Sequence, residues 1–176
     1  VDMGIASGEH SLNDVRSTIL FSDTYGLICA PDHALARQPA PPSIEQIKTT
    51  PFIRNNLLSL IETSAFQDAI CETKVSVHNT MSLTAMVRTG AWVTVLPRSV
   101  VQFMSPDLVF RPIQGLPDRR KVSLLMRNRA SFPELCEELW ELLVTFDWQT
   151  SLVEHPASTG PTIEVSLGPP GGVPDE

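Results

Sequence analysis

Polar side chains in two strand-to-helix turns are the residues of this chain best placed to do chemistry. Asn55 and Asn56 follow an apolar segment and precede a helical pattern, and His78, Asn79 and Thr80 stand in an equivalent turn. The first N–H groups of a helix lack intrahelical partners, and the helix dipole favours negative charge at that end. Such a turn can therefore bind an anion. The same side chains can instead act as helix N-caps, and the two roles can coexist.

Two further side chains have the chemistry to contact an anionic ligand. Ser7 ends the first predicted strand beside Gly8, and its hydroxyl can donate a hydrogen bond to a carboxylate. A serine in a turn also satisfies local backbone groups, which is the competing interpretation. Arg54 can pair with an anion or form a surface ion pair. The candidate binding residues are therefore Ser7, Asn55, His78, Asn79 and Thr80.

Signatures of catalysis and of metal binding are absent from the sequence. It contains no G-x-S-x-G, H-E-x-x-H, P-loop or G-x-G-x-x-G motif. Ser7 and His78 combine with an acid into a triad only on paper. The three cysteines, Cys29, Cys71 and Cys136, are far apart and form no C-x-x-C pair, so we expect reduced thiols and no zinc site. We predict no catalytic residue, no metal and no cofactor.

The charge of the chain is unevenly distributed. Its 176 residues carry a net charge of −7, with 42% hydrophobic and 19% charged residues, which is typical of a globular domain. All 13 Lys and Arg residues lie within residues 1–129, whereas residues 130–176 are acidic. The basic cluster at 119–121, with Arg127 and Arg129, is small, so we interpret it as a solvated face rather than a DNA contact. We see no signal peptide and no membrane span, and expect a cytoplasmic location.

Strands and helices alternate along the chain, which predicts α/β organisation with parallel strands. The pattern gives strands at 1–7, two short strands within 17–30 broken near 22–24, and strands at 51–54, 75–77, 92–96, 108–112 and 121–126. It gives helices at 44–48 with Ser43 as N-cap, at 57–72, around 83–87 and at 133–146. The Pro- and Gly-rich residues 149–176 are predicted to be a disordered tail.

Several segments, in order, have the motifs of one known family. Residues 1–5, V-D-M-G-I, look like its "V-D-h-G-I" strand. Residues 27–36, L-I-C-A-P-D-H-A-L-A, look like its crossover segment, with Ala34 in place of the usual proline. Residues 86–100, M-V-R-T-G-A-W-V-T-V-L-P-R-S-V, look like "h-V-x-x-G-h-G-h-x-h-L-P-x-x-h", with Trp92 where a second glycine is common.

Residues 108–129 and the helix at 133–146 match the return strands and last helix of the same family. Together these segments make residues 1–147 similar to the effector-binding domain of the LysR-type transcriptional regulators. The resemblance implies two Rossmann-like subdomains of the periplasmic-binding-protein type, the first of them incomplete. We expect a remnant of subdomain I at 1–30 and 113–147, and subdomain II at 31–112.

The resemblance also implies partners for the protein. Family members carry an amino-terminal winged helix-turn-helix and the first elements of subdomain I, and we recognise neither in this sequence. We therefore expect DNA contact only through such a missing domain, and a homodimer or tetramer for the intact protein. Ser7 would stand at a strand end facing the cleft between the subdomains, where a small, anionic metabolite would bind as effector.

Two other functions stay open at this point. A two-lobed periplasmic solute-binding protein shares the architecture, and it would need a secretory signal upstream of Val1. The chain could also be a truncated regulator with no independent activity, whose uncovered sheet edge and apolar surface would favour association. An enzyme lacks any supporting motif.

Overall fold

The computed structural model describes residues 1–153 as a mixed α/β structure. The strands are β1 (Met3–Ser7), β2 (Val15–Cys29), β3 (Thr94–Pro97), β4 (Val109–Pro112) and β5 (Arg119–Arg127). The helices are α1 (Ala34–Arg37), α2 (Ile44–Lys48), a 3-10 helix (Asn56–Leu60), α3 (Ser64–Ile70), α4 (Thr80–Arg88), α5 (Arg98–Met104), α6 (Pro133–Thr145) and α7 (Trp148–Val153). Within this part of the chain, we find no helix with the length and apolar character that a membrane crossing requires.

Helix α7 carries helical structure into the segment predicted as a tail. Trp148 stacks on Phe21 with ring centroids 5.8 Å apart, and its indole Nε1 donates a hydrogen bond to the carbonyl of Leu143 at 2.7 Å. These contacts hold the helix against β2. The rest of the predicted tail, residues 154–176, lies outside the described residues.

Strand β2 runs without a break through the whole sheet system. Residues 15–24 pair antiparallel with β5, with a bulge between Ile19 and Phe21. From Tyr25 onward the same strand pairs with β3 and β4. The prediction of two short strands broken near 22–24 is therefore wrong. The polar residues 22–24 remain in the strand because the carboxylate of Asp23 is buried there and accepts hydrogen bonds from Ser99.

Pairing between the named strands is antiparallel throughout. The parallel arrangement predicted from the sequence occurs in short bridges, Phe52 with Val93 and Arg54 with Ser76. These bridges join the segments that were predicted as strands at 51–54, 75–77 and 92–96. The sequence pattern thus located the parallel segments but did not reveal the antiparallel ladders that enclose them.

The helix predicted over residues 57–72 is divided into the 3-10 helix and α3. Two sets of hydrogen bonds stabilise the non-helical residues between them. The amide of Gln67 donates to the carbonyls of Leu58 and Ile61, both at 2.8 Å. Asp118, the residue directly before β5, accepts hydrogen bonds from the backbone N–H groups of Glu62 and Thr63. The break therefore depends on a residue more than 50 positions away, which periodicity cannot show.

Three clusters of buried apolar side chains form the core. Tyr25, Leu27 and Cys29 face one cluster, and Ile28 faces another, because alternate residues of a strand point to opposite faces. Apart from Ile113, the other buried members of both clusters come from residues 31–112. The third lies under α6 and contains Leu124, Met126, Cys136 and Trp140. This third cluster shares none of its buried members with the other two.

Part of the apolar surface next to the third cluster is uncovered. Strand β1 pairs with β5, and Ile5 at the centre of β1 is 58% exposed. Helix α6 turns Cys136 and Trp140 inward, while Leu135 and Leu142 on its other side are each 64% exposed. The described residues therefore leave one sheet strand and one helix face in contact with solvent.

Candidate functional site

A first groove lies at the turn where the parallel bridges end. It brings together two of the predicted site residues, Asn55 and His78, which stand 23 positions apart in the sequence. The groove is lined by Arg54, Asn55, Asn56, Leu58, Ser59, Thr73, Ser76 and His78. The structure thus brings the two polar turns together in one groove.

Asn55 holds its own turn through three side-chain hydrogen bonds. Its Oδ1 accepts from the N–H of Leu57 at 3.0 Å, which caps the 3-10 helix. Its Nδ2 donates to Thr94 Oγ1 and to the carbonyl of Val95, both at 3.0 Å. The side chain therefore ties the groove wall to β3, and its capping role is the one that the geometry displays.

His78 stands at the exposed rim of the first groove. Its Nδ1 lies 2.6 Å from Oδ1 of Asn56, which comes from the opposite turn. This hydrogen bond fixes the orientation of the imidazole ring across the groove. The sequence left open whether Asn56, like Asn55, binds an anion or caps a helix. In the structure Asn56 is the partner that positions His78.

The remaining predicted residues lie outside the lining of this groove. Asn79 is the N-cap of α4, and its Oδ1 accepts from the N–H of Ser82 at 3.1 Å. Thr80 is the first residue of that helix and is half-buried. Ser7 ends β1, and its carbonyl lies 3.1 Å from Nε2 of His10. Gly8 follows with φ of +100°, a conformation that favours glycine and turns the chain away.

A second groove adjoins the first through Ser59, which lines both. It lies between the turn after β1 and the segment before α3, and it has a volume of about 420 Å³. Its lining consists of Gly8, Glu9, Ser59, Leu60, Glu62, Asp118, Arg119, Arg120 and Lys121. Ser7 therefore neighbours this groove through Gly8, although its own side chain does not line it.

The three consecutive cations of the second groove were missed as site residues. The basic cluster at 119–121 was predicted to be a solvated face. The structure places these residues at the start of β5, where β2 passes between its two sets of partners. Arg119 and Lys121 are indeed exposed, but Arg120 is largely buried, with 13% of its side chain accessible. The signal that could have found them is their position at the start of the strand predicted at 121–126.

The acidic residues of the second groove are largely occupied by neighbours. Lys121 Nζ forms an ion pair with Glu9. Asp118 accepts from the N–H groups of Glu62 and Thr63, at 2.5 and 3.2 Å, and from the hydroxyl of Thr63. Partial burial acts to raise the pKa of Asp118, but these hydrogen bonds to the charged form outweigh it and bring the pKa below its usual value.

Replacing Asp118 by asparagine should therefore lower the free energy of unfolding by about 1 kcal/mol at pH 7, since partial exposure screens the lost charge. A carboxyl with a lowered folded pKa stabilises the protein above its unfolded pKa of about 3.8 and stops doing so as the pH falls through the folded value. The difference between wild type and variant should thus shrink below pH 4. Urea unfolding at pH 7, 4 and 3 measures it.

Glu138→Gln, an exposed carboxyl of α6, serves as the matched control and should change stability little at any of these pH values. An Asp118→Asn penalty that stayed constant down to pH 3 would contradict the assignment of the hydrogen-bonded carboxylate.

The described residues offer no evident centre for catalysis or metal binding. No group of three or more His, Cys, Asp or Glu side chains among residues 1–153 is arranged to hold a metal ion. Burial raises the pKa of the Cys29 thiol to about 11 and that of Tyr25 to about 12, so neither is a ready nucleophile at neutral pH. The chemistry that the two grooves support is the binding of a polar ligand.

The sequence and the fold of this chain are similar to those of known proteins. A family model described as the LysR substrate binding domain matches residues 1–147. The chain shares 21% identity and a TM-score of 0.62 with the reduced OxyR regulatory domain from Pseudomonas aeruginosa, covering 82% of this chain and 72% of that one. It spans about half, 52%, of full-length OxyR from the same organism. No curated protein matches the chain.

A second similar structure is the CcmR regulatory domain from Synechocystis, described in complex with 2-PG. It has 15% identity and a TM-score of 0.63, and the match covers 81% of this chain and 72% of that one. A third is a regulatory domain of MetR from Neisseria meningitidis, a LysR family regulator, at 19% identity and a TM-score of 0.59, covering 81% of this chain and 71% of that one. At these identities the similarity shows the fold.

Proposed function

Because the chain belongs to the LysR substrate-binding domain family, we propose that it senses a small, anionic metabolite for a transcriptional regulator and binds it in the two contiguous grooves. The effector would contact His78 and Asn55 in the first groove and the cations of β5 in the second. Ser7, Asn79 and Thr80 would act around these grooves rather than in their lining.

The charge balance of the second groove is the observation that carries this proposal. Glu9 is paired with Lys121, and the carboxylate of Asp118 is turned to the backbone of residues 62–63. Among the carboxylates that line the groove, this leaves only the exposed Glu62 for the guanidinium groups of Arg119 and Arg120, and Arg120 has one further carboxylate, Asp23, at 3.5 Å. Such a surplus of positive charge in a concave surface attracts negative ligands.

The position of the grooves fits the two-subdomain organisation that we propose for the chain. Gly8 and Arg119–Lys121 belong to the proposed subdomain I, at 1–30 and 113–147, whereas Ser59 and Glu62 belong to subdomain II, at 31–112. The separate apolar cluster under α6 supports the same division. A ligand between two subdomains can favour one relative orientation over another, which is how binding would reach the rest of the regulator.

We also propose the context in which such a sensor works. The intact regulator would assemble as a homodimer or tetramer in the cytoplasm, and another part of it would contact DNA. A related structure, the CcmR regulatory domain, is described with a bound small molecule, which supports small-molecule sensing in general. It does not identify the effector of this chain.

The test is ligand-induced thermal stabilisation of the protein at constant ionic strength, with acetate and inorganic phosphate as probes. A ligand present at about 100 times its Kd stabilises the folded state by about 2.7 kcal/mol, and this appears as a rise in Tm. We expect His78→Ala to reduce the rise, since it removes the fixed imidazole at the rim. Met81→Ala, on the exposed start of α4 and outside both grooves, is the control and should leave the rise unchanged.

Acetamide provides a matched uncharged probe for acetate. Equal stabilisation by acetamide and acetate would contradict the preference for an anion. The absence of stabilisation by either anionic probe would instead favour a second candidate, a truncated regulator with no independent activity. The exposed Ile5 of β1 and the exposed leucines of α6 are the observations that support this candidate.

A further inference from the structure

Three side chains from three elements meet where β2 passes from β5 to its other partners. Asp23 of β2 is 7% exposed and Ser99 of α5 is 9% exposed. The N–H of Ser99 lies 3.2 Å from Oδ2 of Asp23, and the Ser99 hydroxyl also donates to that oxygen. A guanidinium NH2 of Arg120 lies 3.2 Å from Ser99 Oγ and 3.5 Å from Asp23 Oδ2. We name these three residues the crossover cluster.

The crossover cluster lies where the β2–β5 ladder meets the β2–β3 ladder. Asp23 and Arg120 are paired residues of the β2–β5 ladder, which ends one position later at Thr24 and Arg119. The ladder between β2 and β3 begins at Tyr25 and Pro97, and Ser99 follows directly in α5. A change in the contacts of Arg120 therefore acts where the two sets of strand pairs join.

The positive charge of the crossover cluster is incompletely satisfied. Arg120 is largely buried, and its Nε is fully buried without a hydrogen-bond partner. The one carboxylate that faces it is at the long distance of 3.5 Å. A guanidinium presents five N–H donors, and burying unsatisfied donors of a cation is costly. An additional anionic acceptor would therefore be bound favourably at this position.

Arg120 differs in this respect from its neighbours in the second groove. Lys121 is exposed and already paired with Glu9, and the Arg119 guanidinium donates to the carbonyl and hydroxyl of Ser22 at 3.2 and 3.4 Å. Arg111 also has a buried Nε without a partner, but its NH2 donates to the carbonyls of Gln38 and Ala40, and it lines neither groove. Arg120 alone among these four side chains combines a groove position, burial and a missing acceptor.

We propose that Arg120 binds the anionic group of the effector, and that the effector competes for it with Asp23. This inference rests on the proposed function, because it names the residue through which an anion in the second groove acts. Binding would draw the guanidinium from Asp23 and Ser99 towards the groove. The crossover between the strand ladders would then differ between the free and the occupied protein.

The test compares Kd values of acetate and inorganic phosphate for the wild type and four variants, measured by titration calorimetry at constant ionic strength. We expect Arg120→Gln to weaken binding at least tenfold and Arg120→Lys to weaken it less, since a lysine keeps the charge but not the planar fork. Arg127→Gln is the control from the other end of the same strand and should change Kd by less than about threefold, because that guanidinium is exposed and lines neither groove.

Asp23→Asn separates competition from a merely structural role. Removing the competing carboxylate should tighten anion binding several-fold, an effect that a residue acting only as scaffold would not produce. Unchanged or weaker binding by Asp23→Asn overturns the competition, and unchanged binding by a folded Arg120→Lys or Arg120→Gln protein overturns the assignment of Arg120. Wild type that binds neither anion overturns the proposed anion function and with it this inference.

Discussion

Replacement of Trp140 by alanine should reduce the free energy of unfolding by about 3–5 kcal/mol, the largest effect that we expect from a single substitution. Trp140 is 3% exposed and fills the cluster under α6 together with Leu124 and Met126. The guanidinium of Arg16 lies 4.2 Å above its ring, and this cation–π contact is lost as well. This cluster has only four buried members, so no neighbour can fill the space that the indole leaves.

Leu142→Ala on the same helix is the matched control. Its side chain is 64% exposed, so its removal should change stability by no more than about 0.5 kcal/mol. Urea unfolding followed by circular dichroism measures both variants. Amide hydrogen exchange adds a spatial readout, since protection in Trp140→Ala should fall first in β1, β5 and α6. Equal penalties for the two variants, or uniform loss of protection, would contradict a separate core under α6.

The second large effect is expected from Gly26→Ala, with a loss of about 1–3 kcal/mol. Gly26 lies near the carboxyl end of β2 and pairs with Leu96 on one side and Pro112 on the other. A Cβ at this position would stand less than 3.0 Å from three ring atoms of Phe110. The ring is partly buried against the cluster that contains Ile28 and Leu96, and the Arg98 guanidinium lies 5.8 Å from its centroid, so we expect it to have little room to shift.

A double-mutant cycle with Phe110→Leu tests this explanation. The smaller side chain removes the ring atoms that clash, so the penalty of Gly26→Ala should be mostly absent in the Phe110→Leu background. Urea midpoints of the four proteins give the coupling energy. Additive penalties would show that the cost of Gly26→Ala does not come from the ring.

Local elements of the fold could be predicted from the sequence because their causes are local. Ser43 was predicted to cap the helix at 44–48, and the structure shows a capping box between Ser43 and Gln46. The last helix was predicted at 133–146 from its apolar spacing and Pro133, and α6 spans Pro133–Thr145. The continuity of β2 could not be predicted, because burial of Asp23 depends on Ser99, 76 positions later.

Only part of the candidate site could be predicted from the sequence. The pattern of an apolar segment followed by polar residues placed Asn55 and His78 in equivalent turns, and the structure brings them into one groove. Arg120 was interpreted with its neighbours as a solvated face. Nothing in the run Arg-Arg-Lys shows that the middle side chain is buried, since its burial is set by partners on β2 and α5.

The unbroken course of β2 restricts how a signal can pass through this molecule. No flexible linker separates the two sets of ladders on this strand, because Thr24 pairs with β5 and Tyr25 already pairs with β3. A sharp bend at one residue would break hydrogen bonds on both sides, so rotation must be shared among several residues as added twist. A continuous strand that is hydrogen-bonded on both sides resists bending but can twist along its length. It converts a small displacement of a side chain at its midpoint into a small rotation at both ends, with elastic energy stored in between.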